Sequence, residues 1–392
     1  MRLDPSTWLA RTGVRRLLDA LGAEEGGARF VGGAVRDSLL GLPHEDLDVA
    51  TPHAPTEVVR RLEAAGIKAV PTGLAHGTVT AVSSGTVVEV TTLRRDLATD
   101  GRRATVAFTD DWAADAARRD FTINALYADP CTGEIVDHVG GIADIEARIV
   151  RFIGAPLDRI AEDHLRILRY FRFHARFGAG EPDAAALDAC TARANDLMAL
   201  SRERIADELI KLLALADPSP TIGLMQERGI LEPVLPELVE GACRALAALV
   251  RSEVDAGISA DPLRRLAAIL PRDPALASRI AARLKLSKKA RARLGDAASP
   301  DVDSNPRALA YRHGVQAAQD RLLLAGDPAS AASLSDWTVP RMPLSGGDLI
   351  ARGVMQGPAV ARTLKAIEAR WIAAGFPGGA SFDQIVEAEL TA

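Results

Sequence analysis

The pattern of apolar residues changes near Arg148, and that change constrains the fold more than any other feature of the chain. Before it, short runs rich in Val, Thr and Phe are separated by glycine turns. ARFVGGAVRD (28–37) predicts a strand, a Gly-Gly turn and a helix start, and EDLDVAT (45–51) predicts a second strand. HGTVTAVSSGTVVEVTTLR (76–94) reads as a hairpin, two Val/Thr runs joined across SSG. TINALYADP (122–130) and EIVDHVG (134–140) predict two more short strands around a CTG turn. After Arg148 the chain is Ala/Leu/Arg-rich with helical spacing, as in DHLRILRYFRFHARF (163–177), RERIADELIKLLAL (202–215) and DPLRRLAAIL (261–270). Prolines punctuate it at 217–220, 232–237 and 337–343. The expected fold is an α/β head over 1–150 followed by an all-α remainder.

At 48% hydrophobic and 25% charged, the 392 residues have the balance of a globular protein. No run approaches the roughly 20 uncharged apolar residues of a membrane span. The first ten residues, MRLDPSTWLA, lack the apolar run of a secretory signal. Three scattered cysteines, at 131, 190 and 243, form no CxxC pair. Together these predict a cytoplasmic protein. Aromatics are 4% and the net charge is −5, which argues against a uniformly basic or base-stacking surface. Local basic patches remain open.

Gly32 and Gly33 follow the first strand directly. Such a pair lets backbone N–H groups approach a phosphate, and the following helix adds its positive end. A plain tight turn has the same sequence. Arg36 lies one helical turn on, placed to reach a triphosphate or to brace the turn. Asp46 and Asp48 sit at i and i+2, so on a strand both carboxylates share a face while Leu47 points to the core. Side-by-side carboxylates repel, and a divalent cation removes that cost. Mg2+ suits such a pair because it takes one or two carboxylates together with substrate phosphates. Alone, a DxD pair also fits a solvated strand end. Glu89, flanked by valines, must face solvent or a site, and is a candidate to complete a metal site.

Arg118-Arg119-Asp120 precedes FTINAL, and arginine gives bidentate contacts to phosphate oxygens. The segment 162–173 predicts one helix on which Arg166, Arg169 and Arg172 form a stripe, extended toward its start by Asp163. Between 148 and 176 there are seven arginines (148, 151, 159, 166, 169, 172, 176) and three acids (158, 162, 163). That local excess stands against a net-negative chain. A second basic run, 285–293, holds five basic residues and no acid, and fits either an RNA-backbone patch or a solvated helix face.

GGAVRD, DLD, RRDFTINAL and EDHLR, in that order and at this spacing, resemble the bacterial class II tRNA CCA-adding enzyme and poly(A) polymerase family. The likeness covers residues 28 to 215. It implies a polymerase-β-like nucleotidyltransferase head (1–150), neck helices with base recognition (151–215), a helical body (216–300) and a tRNA-binding helical tail (301–392). It implies addition of C, C and A to tRNA 3′ ends from CTP and ATP with release of pyrophosphate, without membrane or DNA partners. Asp46 and Asp48 would hold Mg2+, with Glu89 a further catalytic candidate. Gly32, Gly33, Arg36, Arg119, Asp163, Arg166, Arg169 and Arg172 would bind nucleotide. Asp163 and Arg166 would read the base, since C and A carry an amino group where U and G carry a carbonyl. The helix from Ser201 would be mainly structural. The loop 94–103 differs from the family's commoner acidic-aromatic version, and its presence favours A addition. No histidine is followed by Asp, so no metal-dependent phosphohydrolase domain is expected. A poly(A) polymerase shares every head motif, and a non-catalytic RNA-binding protein on this fold is the reading from a different class.

Overall fold

The computed structural model describes residues 1–43, 46–100, 103–303 and 305–391, without the side chains of 96–100 and 103–106. The chain forms two compact units, one of 1–212 with 224–234 and one of 213–223 with 235–392. Among the described residues, no helix is long and apolar enough to cross a membrane.

The strands of the first unit's main sheet are β1 (Arg29–Val31), β2 (Asp48–Thr51), β3 (Lys68–Gly73), β4 (Thr78–Ser83), β5 (Thr86–Thr92), β8 (Leu126–Ala128) and β9 (Ile135–Asp137). These seven lie in the order β3-β4-β5-β2-β1-β8-β9. Among the described residues, only β2 and β5 pair in parallel. The predicted hairpin is β4–β5. Its two-residue turn puts Ser84 at φ 50° and Gly85 at φ 88°, the positive-φ pair that matches strand twist. Alternation then buries Val79, Ala81, Val88 and Val90 on one face. That face is covered by α1 (Val14–Ala20) and, beyond α2 (Gly33–Leu39), by α3 (Pro55–Ala64).

The segment expected as a loop at 94–103 belongs instead to a separate two-stranded ribbon, β6 (Arg94–Asp100) with β7 (Arg103–Phe108). Residues 101 and 102, at its tip, lie outside the described residues. The β-rich stretch ATVAF (104–108) supplies the partner strand that makes this pairing possible.

Helices complete the first unit: α4 (Trp112–Ala117), α5 (Pro156–Glu162), α6 (Arg166–Phe177) and α7 (Arg202–Leu213) among them. The helix predicted over 162–173 is broken. α5 ends at Glu162, Asp163 is extended (φ −154°, ψ 106°), and α6 begins at Arg166. The cause is local: Asp163 Oδ1 accepts from the Leu165 backbone N–H at 3.1 Å, an Asx turn that competes with helix continuation. The arginine stripe at 166, 169 and 172 survives on α6, but Asp163 does not extend it along one helix.

The second unit is helical among its described residues. Ser345 caps the helix Gly346–Ala351 in a reciprocal capping box with Asp348, as its SGGD sequence suggests. A buried ionic network lies at its centre. Arg264 donates to Glu253 at 2.6 Å and to Asp320 at 2.9 Å, and Arg265 donates to the other Glu253 oxygen at 2.9 Å.

Candidate active site

The Gly-Gly turn is a backbone requirement. Gly32 has φ 69° and ψ −123°, a region closed to other residues. A Cβ there would meet nothing closer than Arg119 Nη1 at 3.7 Å, so conformation and not space demands glycine. The turn lets α2 start immediately after β1. Arg36 is then buried (6% exposed), donating to Asp37 at 2.7 Å and to the Asn124 side chain, with its guanidinium 4.0 Å from the Phe177 ring centroid. It braces the turn while still lining the adjoining cavities.

Asp48 opens β2, and Asp46 lies two residues before it, just outside the strand. Leu47 between them is buried at 2% exposure, so the expected alternation holds. Glu89 on β5 is the direct register partner of Asp48. Burial, then Glu89, then Asp46 push the Asp48 carboxyl up to about 6, against the pull of Arg119. The carboxylates therefore repel one another in the protein alone. Among the described residues no three His, Cys, Asp or Glu side chains gather into a metal-ligand set. The donor set is thus an aspartate pair with a nearby glutamate charge. It fits a hard divalent cation that takes its remaining ligands from phosphate and water, and not a preformed protein cage.

Arg119 reaches Asp115 Oδ2 through Nη2 at 3.0 Å, and Arg118 reaches Oδ1 through Nε at 2.8 Å. Tyr127 donates its hydroxyl to the same carboxylate at 2.7 Å. Burial pushes Asp115's carboxyl up, yet the two arginines and Tyr127 outweigh it and hold its pKa low. Asp115 also accepts from the Arg94 backbone N–H at 3.2 Å, tying the ribbon's first residue to the arginine pair. Arg159 on α5 donates to the carbonyls of Arg118 and Arg119. Neither Asp115 nor Arg159 was legible as a site residue. Only the i, i+3 and i+4 spacing of Asp115 to the two arginines on a helix hints at the first.

Asp120 accepts from the Phe121 N–H, from Asn124 at 3.0 Å and from Arg169 Nε at 2.9 Å. These contacts overcome its burial and lower its pKa. Arg169 is thereby aimed from α6 toward the turn. Arg172 instead donates to the buried Glu208 of α7 at 2.6 Å and lies against Phe173, 4.8 Å from its ring centroid. Asp163 accepts from Arg204 at 2.7 Å, and Arg166 pairs with Glu162 and donates to the Arg159 carbonyl at 2.8 Å.

A cavity of about 390 Å³ brings most of the predicted residues together. Its walls include Gly32, Gly33, Arg36, Asp48, Arg119, Asp163, Arg166 and Arg169, with Phe173 beneath the arginines. A neighbouring cavity of about 410 Å³ takes in Asp46, shares Asp48, and adds Asp37 and Arg176. Arg172 and Glu89 line neither. Glycine backbone, Asp48, Asp163 and convergent arginines around one opening, with Asp46 in the adjoining cavity, suit a nucleoside triphosphate.

Known proteins resemble the chain in sequence and fold. The profile of the Poly A polymerase head domain matches residues 28–151. The profile described as the probable RNA and SrmB-binding site of polymerase A matches residues 181–241. The CCA-adding enzyme of Streptococcus gordonii is 33% identical over 387 residues, covering 94% of each chain. The mitochondrial CCA tRNA nucleotidyltransferase 1 of Mus musculus is 33% identical over 383 residues, covering 93% of this chain and 87% of the relative. The crystal structure of the Bacillus stearothermophilus CCA-adding enzyme in complex with CTP superposes with a TM-score of 0.70 at 25% identity, over 96% of this chain and 98% of the other.

Proposed function

This chain belongs to the family of CCA-adding tRNA nucleotidyltransferases, and on that premise we propose how its residues add C, C and A to tRNA 3′ ends from CTP and ATP. The observation that carries the assignment is the shared cavity: the glycine turn, Asp48, Arg119, Asp163 and Arg166 face one opening. The primer's 3′-hydroxyl gives up its proton to solvent as its oxygen attacks the α-phosphorus, a new O–P bond forms, and pyrophosphate leaves with the electrons of the broken bond. Asp46 and Asp48 would hold Mg2+, which when bound would neutralise charge on the phosphate oxygens. Glu89 acts from across the strand pair through its charge on Asp48.

Gly32 and Gly33 present backbone to the phosphates. Arg119, fixed by Asp115, meets the triphosphate, and Arg36 keeps the turn rigid. Asp163 accepts from the exocyclic amino group of C or A, while Arg166 donates to ring acceptors. U and G would leave these groups without their partners, which is the basis of discrimination. Arg169 and Arg172 continue the positive stripe toward triphosphate or primer, Arg172 from its pairing with Glu208. The exposed basic residues at 285–293 and the tail contact tRNA backbone. Cysteines that are all free support work in a reducing compartment, the cytoplasm.

Incubation with tRNA lacking its 3′ end, offering each nucleoside triphosphate alone and then CTP with ATP, tests this. Two C followed by one A is the expected product. Repeated A from ATP alone would identify a poly(A) polymerase, and no metal-dependent incorporation would sink the enzymatic reading.

A further inference from the structure

We infer that Arg204, on the helix that the sequence marked as mainly structural, positions Asp163 and thereby helps set base selectivity. The inference rests on the reading that Asp163 meets the base. α7 carries Arg204 and Glu208 one turn apart, on one face. That face meets the nucleotide side of the unit with opposite charges in sequence. Arg204 Nη2 donates to Asp163 Oδ2 at 2.7 Å, and Glu208 accepts from Arg172 at 2.6 Å.

Asp163 sits where the backbone is out of the helix, so its side chain is not oriented by helical neighbours. Two hydrogen bonds orient it instead. Oδ1 takes the Leu165 N–H at 3.1 Å, and Oδ2 takes Arg204. A carboxylate has about four acceptor positions, so sites remain for an amino group in the cavity. The Arg204 and Asp163 side chains are 27% and 28% exposed. A pair so open to water contributes little to stability. What it does fix is the plane and direction of the Asp163 carboxylate, which lines the cavity together with Arg166. Without Arg204 the Asp163 side chain would pivot on its single remaining bond and pair with water. A pivoting acceptor no longer penalises a carbonyl in place of an amino group.

The test measures kcat/KM for CTP, ATP, UTP and GTP on tRNA primers of the matching length. The proteins are the wild type, Arg204→Ala, Arg204→Lys, Asp163→Ala and the double alanine variant, each with its melting temperature. Arg204→Ala is expected to lower the CTP/UTP and ATP/GTP ratios by at least about tenfold, the scale of one charge-assisted hydrogen bond. Arg204→Lys, which keeps the charge and loses the fork, is expected to fall between. It also keeps the test decisive should the alanine variant melt early. The double variant is expected to be no less selective than Asp163→Ala, because both changes remove one interaction. Wild-type ratios in both Arg204 variants, with only uniform loss of rate, would overturn the role. So would strictly additive losses in the double variant. If Asp163→Ala loses selectivity while the Arg204 variants keep it, Arg204 alone is misassigned. If Asp163→Ala itself keeps wild-type ratios, base reading by Asp163 falls and this inference with it.

Discussion

Both units of the molecule join arginines to carboxylates, and they close those networks to different degrees. In the second unit Arg264, Arg265, Glu253 and Asp320 are all at most 3% exposed, and each cation is met by acceptors on several sides. In the first unit, Arg119 and Arg169 keep partial exposure, 18% and 31%, on a cavity wall. A network buried this fully serves to fix one packing. A half-open one is held in place from behind and presents its remaining N–H groups to whatever enters. Arginine count alone distinguishes nothing here; the position of the carboxylate behind each arginine does.

The carboxylate pair gives the largest expected effect. Asp46→Asn and Asp48→Asn are each predicted to cut incorporation at least about a hundredfold, the scale of one lost electrostatic stabiliser. Folding should survive. In metal-free solution the Asp48→Asn protein should melt above the wild type at neutral pH, because a repelled charge has gone. The pH dependence has a defined sign. Asp48's folded pKa is raised to about 6 from 3.8, so its protonated form is favoured by the fold. That stabilisation is complete below the unfolded value and is lost as pH rises through about 6. Thermal melts in a chelator from pH 4 to 7 should show this loss in the wild type and not in Asp48→Asn; identical profiles would contradict the account.

The comparison itself is tested next. Arg264→Ala takes a donor from two buried carboxylates at once, leaving Glu253 to Arg265 and Asp320 to Arg293, and empties a fully buried side-chain volume, so it should cost about 3 kcal/mol of stability. Arg119→Ala leaves Asp115 still paired with Arg118 and Tyr127, so it should cost only about 1 kcal/mol while lowering kcat/KM about ten- to a hundredfold. Denaturant melts beside kinetics measure both. Equal destabilisation by the two would erase the distinction between closed and half-open networks.

A smaller effect is expected at the basic run of the second unit. Lys288, Lys289 and Arg291 are exposed, whereas Arg293 is committed to Asp320 and Asp261 at 2.9 and 2.8 Å. Alanine at Lys288, Lys289 and Arg291 together should weaken tRNA binding for all sequences. The slope of log affinity against log salt should flatten by about 0.7–0.9 for each phosphate that is no longer neutralised. An unchanged slope would remove this patch from the footprint.

Much of the site could be read in the sequence because its chemistry is local. A Gly-Gly turn, an i, i+2 aspartate pair and an i, i+3, i+6 arginine stripe are set by backbone geometry within a few residues. What could not be read are the residues that hold those side chains from behind. Arg204 finds Asp163 across 41 residues, and Glu208 finds Arg172 across 36. On their own helix each reads as an ordinary solvated charge, and only tertiary placement buries Glu208. The helix predicted through Asp163 failed for a related reason. Apolar periodicity on both sides was real, but one Asx turn was enough to stop α5 and restart the chain as α6. The ribbon at 94–108 was missed because charged residues at 94–96, 100, 102 and 103 mask its β pattern.

The claim most exposed to refutation is that the cleft of the first unit, and not the RNA, selects the base. The direct measurement is the set of incorporation efficiencies for CTP, ATP, UTP and GTP by Arg166→Ala on one primer. Loss of discrimination against UTP and GTP, with the aspartate pair intact and metal dependence unchanged, is the predicted result. Wild-type ratios with only a lower rate would contradict it, and selection would then lie with the primer or elsewhere in the head.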